Sequence, residues 1–219
     1  MQRSGIIHKT PADLAVAPNL ADHAATCAAF SWETARQALA GLPGGGLNIA
    51  YEAVERHAQG PMRDRTAFRF LGDDSVRDVS FGELSRLTSR FANVLRSLGV
   101  QRGERVFVLT GRIPELYVAV LGGLKAGCVV SPLFSAFGPE PIATRLNIGE
   151  GVVLVTTDGL YARKVAKIRD MLPTLRHVLV VDEEGMAAGL AGTQDLAALM
   201  AQAAEVFDTE PTQAEDLAL

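Results

Sequence analysis

Cysteine is scarce in this 219-residue sequence: Cys27 and Cys128 are the only two and lie far apart. Such a pair cannot form a disulfide scaffold. A basic excess is also missing, since 21 Lys+Arg against 25 Asp+Glu leave a formal charge of −4. That argues against nucleic-acid binding driven by phosphate neutralisation. Aromatic residues make up only 6% of the chain. No GxxxxGK[ST] or GxGxxG pattern occurs, which weighs against a P-loop enzyme and a dinucleotide-binding Rossmann enzyme. The longest apolar stretch, Leu116 to Phe134, is interrupted by Lys125 and Gly127 and carries Pro132 near its end. A membrane span needs about 20 apolar residues without such breaks. The first ten residues contain no apolar core of a secretory signal. With 48% apolar and 21% charged residues, what remains is a globular, cytoplasmic, enzyme-sized chain.

Residues 1–47 are Ala-rich and weakly patterned, with a short amphipathic helix expected over Phe30–Leu39 and a break at Pro43-Gly-Gly-Gly46. From Asn48 the pattern tightens into a helix through His57. Thr66–Phe70 and Val76–Val79 flank a Gly72-Asp-Asp-Ser75 turn and read as a β-hairpin. Asp73 and Asp74 therefore read as turn residues rather than an acid/base pair. Ser80 and Glu83 form an expected capping box. The helix they open carries Leu84, Leu87, Phe91, Val94, Leu95 and Leu98 on one face, and Gly99 closes it.

Beyond it, strands alternate with helices. Strands are expected at Arg105–Leu109, Cys128–Phe134, Gly151–Thr156 and His177–Asp182. Helices are expected from Pro114 to Gly127, over Pro139–Asn147, after a cap at Asp158, and from Thr193 to Glu205. Continuous Val/Leu strands between helices predict a doubly wound, largely parallel α/β sheet with flanking helices, preceded by a helical N-terminal segment and a β-hairpin. The division expected is 1–47 as an N-terminal extension, 48–205 as an α/β subdomain, and 206–219 as an acidic linker running into the start of a strand at Leu217-Ala-Leu219. Ligands on such sheets bind beyond the carboxyl ends of the strands.

Several stretches together resemble the AMP-forming acyl-CoA synthetases, and most closely the acetyl-CoA synthetase branch. Asn48-Ile-Ala-Tyr-Glu-Ala-Val-Glu-Arg-His57 is similar to an early segment of that family. Val79-Ser-Phe-Gly-Glu-Leu84, Ile113-Pro-Glu115 and Leu124-Lys-Ala-Gly-Cys-Val-Val-Ser-Pro-Leu133 resemble its first core motifs. Phe134-Ser-Ala-Phe-Gly-Pro-Glu140 resembles its Phe-Gly-Gly-Phe-Ser-Pro-Glu stretch. The resemblance covers roughly residues 30–219 and implies an incomplete part of the large N-terminal domain of an adenylating enzyme. Its parent reaction joins ATP, a carboxylate and CoA through an acyl-adenylate, with Mg as the metal. The family's Ser/Thr/Gly-rich phosphate loop, adenine-binding aromatic segment, ribose-binding Asp, hinge and catalytic Lys find no match here. No catalytic residue and no metal ligand is therefore assigned. The fragment alone is expected to be inactive and to bind none of the cofactors tightly, and uncovered core surface would favour self-association.

The resemblance also implies possible CoA contacts. Phe134, Ser135 and Ala136 match the stretch along the pantetheine arm, with Ser135 and Ala136 where the family has glycines. Arg163 and Lys164 fall near arginines that pair with the CoA 3′-phosphate, one residue out of register; a solvated basic face shared with Lys167 is the other reading. His57 reads as a surface or capping residue, and Cys128 as a buried, inert thiol. A non-catalytic α/β module for ligand or partner binding is the competing function.

Overall fold

A computed structural model of the protein describes residues 10, 14–72 and 75–219. The readings placed on the first nine residues and on Asp73 and Asp74 lie outside the described residues. The chain divides into two compact units, Met1–Ala40 and Gly41–Leu219. The first carries α1 (His23–Ala29) and α2 (Trp32–Gln37). Asp22 and Ser31 cap them, accepting the N–H groups of Ala25 and Thr34 at 2.9 and 3.0 Å.

In the second unit, Asn48 is buried. Its Oδ1 accepts from the Ala50 and Tyr51 N–H groups at 2.8 and 3.2 Å, and its Nδ2 donates to the Leu124 and Glu210 carbonyls. It starts a wide π-helical turn, Tyr51–Glu55, that runs into α3 (Arg56–Ala58). A regular helix was expected here. The extra residue per turn rotates Glu55 inward, where it reaches the ammonium of Lys125 at 2.6 Å.

Strands β1 (Thr66–Leu71) and β2 (Val76–Ser80) form the expected antiparallel hairpin. Ser80 caps α4 (Phe81–Ser97) by accepting the Glu83 N–H at 3.2 Å. Only half of the capping box forms. Ser80 still belongs to β2, opposite Thr66, and the Glu83 carboxylate turns to Arg77 at 3.3 Å. Gly99 then adopts φ +75° and ends the helix.

The layer that follows is doubly wound. It runs β3 (Arg105–Leu109), α5 (Pro114–Lys125), β4 (Val129–Pro132), α6 (Pro139–Ile148), β5 (Val153–Thr157), α7 (Asp158–Leu160), β6 (His177–Val181), β7 (Gln194–Asp195) and α8 (Leu196–Gln202). The strand order is β4-β3-β5-β6-β7, all parallel. Alternate residues face opposite sides. Val106, Val108, Val153, Val155 and Leu179 face a core shared with α4 and α5. Phe107, Leu109, Leu154, Val178 and Val180 face a core shared with α6 and the 161–172 segment. Burial on both faces is why these strands read as unbroken Val/Leu runs. The last helix differs from expectation: residues 194–195 first pair with Leu179 and Val180, so α8 is shorter than Thr193–Glu205.

The acidic segment after α8 is fastened to α4 and to the turn that follows it. Arg90 pairs with Glu205 at 2.8 Å, Arg96 with Glu210 at 3.0 Å, and Arg102 with Asp216 at 2.5 Å. Asn93 Nδ2 donates to the Ala204 and Val206 carbonyls. At its end, the Val130 N–H donates to the Ala218 carbonyl at 2.8 Å. The Leu217–Leu219 stretch thus begins to extend the sheet at the β4 edge. No helix among the described residues is long and apolar enough to cross a membrane.

Candidate functional site

The sheet order reverses between β3 and β5: the crossover from β3 leads outward to β4, and the next returns past β3 to β5. In open α/β sheets the ligand crevice lies at such a point, beyond the carboxyl ends of the strands. The surrounding loops are 110–113 after β3, 133–138 after β4 and the Thr157–Asp158 corner after β5.

The loop after β4 holds three of the residues singled out in the sequence. Leu133 anchors it, with its N–H on the Val108 carbonyl at 2.7 Å. Phe134 then leaves the core and is 65% exposed. The Phe137 N–H closes a turn on the Phe134 carbonyl, and the two rings meet edge to face, 5.6 Å between centroids at 90°. Arg145, in the last turn of α6, lays its guanidinium 4.2 Å from the centre of the Phe137 ring. That stacking is worth about 0.5–1 kcal/mol at an exposed site. Phe107, Ser131, Pro132, Phe134, Phe137, Arg145 and Ile148 line a groove of about 520 Å³ beside the β4 edge.

The basic pair divides. A second π-helical turn, Tyr161–Val165, follows α7, and a 3₁₀ segment, Ala166–Met171, completes the crossover to β6. π turns insert one residue into a helix and recur at functional sites. Here the insertion sends Lys164 and Arg163 different ways. Lys164 Nζ donates to the Ser135 carbonyl at 2.5 Å, which ties the 133–138 loop to the crossover. Arg163 is exposed and pairs with Glu184 at 3.0 Å. The structure therefore brings Lys164 to Phe134, Ser135 and Ala136, and holds Arg163 on the neighbouring loop. Lys167 is exposed.

Thr157, rather than Asp158, supplies the helix cap, accepting the Leu160 N–H at 3.4 Å. Asp158 is fully buried and accepts N–H groups from Gly159, Glu183, Glu184 and Met186 at 2.7–3.3 Å. Burial opposes its ionisation, but the Met186, Glu184 and Gly159 donors outweigh that and hold its carboxyl well below the usual range. It pins the loop after β6 against the end of β5. The hydroxyl of Thr156, two residues before it, is buried with no partner among the described residues.

Sequence reasoning did not single out the Lys125 centre. Lys125 is fully buried and bonds Glu55 at 2.6 Å, the Ser89 hydroxyl at 2.7 Å and the Ser85 carbonyl at 3.2 Å. Burial pushes its pKa down, and the Glu55 hydrogen bond and charge work against that. The available signal was a lysine inside an otherwise apolar helix. Cys128 is buried, and its thiol is pushed up to about 11 by that burial, so the inert reading holds. His57 packs its ring 5.0 Å from that of Phe81. Cys27 is exposed, with Sγ 3.4 Å from His23 Nε2.

The profile of a family described as AMP-binding enzyme matches residues 54–219. Acetyl-coenzyme A synthetase of Bacillus subtilis is 38% identical over 167 residues, covering 76% of this chain and 29% of its own length. Acetyl-coenzyme A synthetase of Streptomyces avermitilis is 40% identical over 120 residues, 54% of this chain and 18% of its own. Among solved structures, an acyl-CoA synthetase of Brucella canis superposes with a TM-score of 0.79 at 27% identity, over 90% of this chain and 35% of that one. An anthranilate CoA ligase in complex with anthranoyl-AMP shares the fold, with a TM-score of 0.68 at 22% identity over 81% of this chain and 31% of that one. The matches span about a fifth to a third of the length of these proteins.

Proposed function

This chain belongs to the AMP-binding enzyme family, and on that premise we propose that it forms the CoA-facing N-terminal part of a cytoplasmic acyl-CoA synthetase of the acetyl-CoA synthetase type. In the parent reaction a carboxylate oxygen attacks the α-phosphorus of ATP and pyrophosphate leaves. The CoA thiol, losing its proton, then attacks the acyl carbon and AMP leaves. Mg would offset charge on the phosphates of ATP.

The observation that carries this reading is the strapped loop: Phe134, Ser135 and Ala136 at the carboxyl end of β4, tied by Lys164 to the crossover behind β5. Small side chains at 135 and 136 permit close approach by an extended pantetheine arm, and the exposed Phe134 ring offers it an apolar wall. Arg163 would meet the 3′-phosphate only by exchanging its Glu184 partner, a swap of one exposed ion pair for another and so of small cost.

Adenylation itself needs backbone N–H donors, a cation and a metal converging on the transferring phosphoryl group. Residues 1–219 offer no recognisable set, so the chain alone is inactive in this reading. The exposed Phe134 and Ile148 beside the β4 edge support self-association of the isolated chain.

Two measurements on the purified chain test these points. Incubation with ATP, Mg, acetate and CoA should release no AMP above background, and acetate- and CoA-dependent AMP formation would overturn the inactivity. In saturation-transfer NMR with excess CoA, weak contact should be strongest at the pantetheine protons and fall in Phe134→Ala. A CoA signal unaffected by that substitution would remove the assigned path.

A further inference from the structure

A lysine beside the CoA path invites a phosphate role, yet the structure spends the Lys164 ammonium on a backbone carbonyl. Its Nζ donates to the Ser135 oxygen at 2.5 Å. Both ends of this contact are held. At the lysine end, Tyr161 and Val165 of the π turn are buried in the core shared with α6. At the loop end, Leu133 is buried before the contact, and the Phe137 N–H closes on the Phe134 carbonyl around it. Ser135 and Ala136 stand where the resemblance has glycines, and neither adopts a positive φ. Each Cβ removes freedom with which a glycine peptide could turn over. The peptide between them is trans, so its N–H points opposite to its C=O. With the Ser135 carbonyl turned to the crossover, the Ala136 N–H is turned away from it. Ala136 is exposed, and its N–H has no acceptor among the described residues. A cation on the carbonyl also polarises the peptide and strengthens that N–H as a donor.

We propose that Lys164 is a positioning residue for the pantetheine arm: by holding the Ser135 carbonyl, it presents the Ala136 N–H to an amide carbonyl of that arm. The inference rests on the CoA path proposed above and names what the path recognises. One neutral donor close in chain to the exposed Phe134 ring suits an amide set between apolar methylenes. The lysine charge is already engaged with the carbonyl, and its effect reaches the ligand through one peptide unit. A phosphate contact would be felt by CoA alone. The peptide contact is felt by every ligand that carries the arm, with or without its phosphates.

The test is a ¹H–¹⁵N NMR titration of the intact 219-residue chain with pantetheine, dephospho-CoA and CoA. At about 0.15 M salt, long-range charge effects on the two nucleotides are screened. The Ala136 amide should shift with all three ligands. Lys164→Met keeps the apolar stem and loses the ammonium. It should weaken all three by the same factor of about three to ten, the scale of one hydrogen bond, and move the Ala136 amide upfield in the free protein. Lys164→Arg should bind pantetheine within about twofold of the parent, since a guanidinium also donates to a lone carbonyl. Ala136→Pro removes the N–H and leaves the Ser135 carbonyl to Lys164; it should weaken pantetheine by a similar factor, and it carries the test if Lys164→Met fails to fold. Weakening of CoA alone would return Lys164 to the 3′-phosphate and overturn the proposal. So would an Ala136 amide that no ligand moves, or pantetheine binding unchanged in Lys164→Met. Phe134→Ala separates this failure from that of the path itself. If Phe134→Ala weakens pantetheine and Lys164→Met does not, the path stands and the lysine does not position it. If pantetheine shifts no amide of the 133–138 loop in the parent chain, path and positioning role fall together.

Discussion

The carboxylate of Asp158 accepts four backbone N–H groups, three of them on the loop after β6. Its folded pKa lies below the unfolded value of about 3.9. A depressed carboxyl pKa means that the ionised form stabilises the fold. That contribution is fully present above the unfolded pKa and is lost as pH falls through it toward the folded value. Asp158→Asn should therefore destabilise the protein at neutral pH by at least about 2 kcal/mol, since one oxygen becomes a donor facing donors. The gap between variant and parent should begin to narrow below about pH 4 and keep shrinking as pH falls toward the folded pKa. Urea unfolding at several pH values reads both; a gap constant down to pH 3 would mean the carboxylate charge is not what holds the loop. An acidic residue after a Val/Leu strand was visible in the sequence, but as a cap. Its actual donors lie 25 to 28 positions away, across a pairing that no local pattern encodes. The Lys164–Ser135 contact was hidden for the same reason, because the π turn that aims Lys164 leaves no periodic mark.

Between elements, α5 packs closely on both α4 and β4. A Cβ on Gly122 would lie 2.9 Å from both Phe91 Cβ and the Thr88 carbonyl oxygen, and one on Gly123 would lie 2.7 Å from Val130 Cγ2. Two successive glycines thus let α5 sit close to both α4 and β4. Gly122→Ala improves local helix propensity by about 1 kcal/mol. The overlap is with backbone as well as side chain, however, and overpacking costs about 1–3 kcal/mol. Net destabilisation is expected, read as a lower urea midpoint at unchanged slope; a midpoint at or above the parent's would show that α4 and α5 can separate freely. These elements were legible because burial on two sides writes itself into sequence: Val/Leu runs for β3, β5 and β6, the six-residue apolar face of α4, and Pro114 and Gly127 flanking α5. Less legible were the segments whose shape depends on a distant partner. The π turn at Tyr51–Glu55 forms around a buried carboxylate whose cation is 70 residues away. The short β7 exists only because β6 offers it an edge.

At the scale of the whole chain, the two edges of the sheet differ. On one side β7 contributes just two paired residues. On the other, β4 presents Val130 N–H outward, while Pro132, two positions on, has no N–H to offer a further strand. Proline in a sheet is confined to such edges. The Ala218 carbonyl occupies the Val130 donor, and Ala218 packs onto the core shared by α4 and α5. Residues 217–219 therefore occupy part of an edge that is otherwise open to pairing with another strand. The ion pairs from Arg90, Arg96 and Arg102 deliver them there, and screening by salt weakens those exposed pairs. Deleting residues 217–219 should accelerate hydrogen exchange at the Val130 amide while leaving Val106, Val108 and Val155, in the central strands, at their parent rates. High salt should move Val130 in the same direction by a smaller amount. If Val130 exchanges as slowly after deletion as before, its protection comes from β3 and the surrounding core, and the C-terminal residues cover nothing.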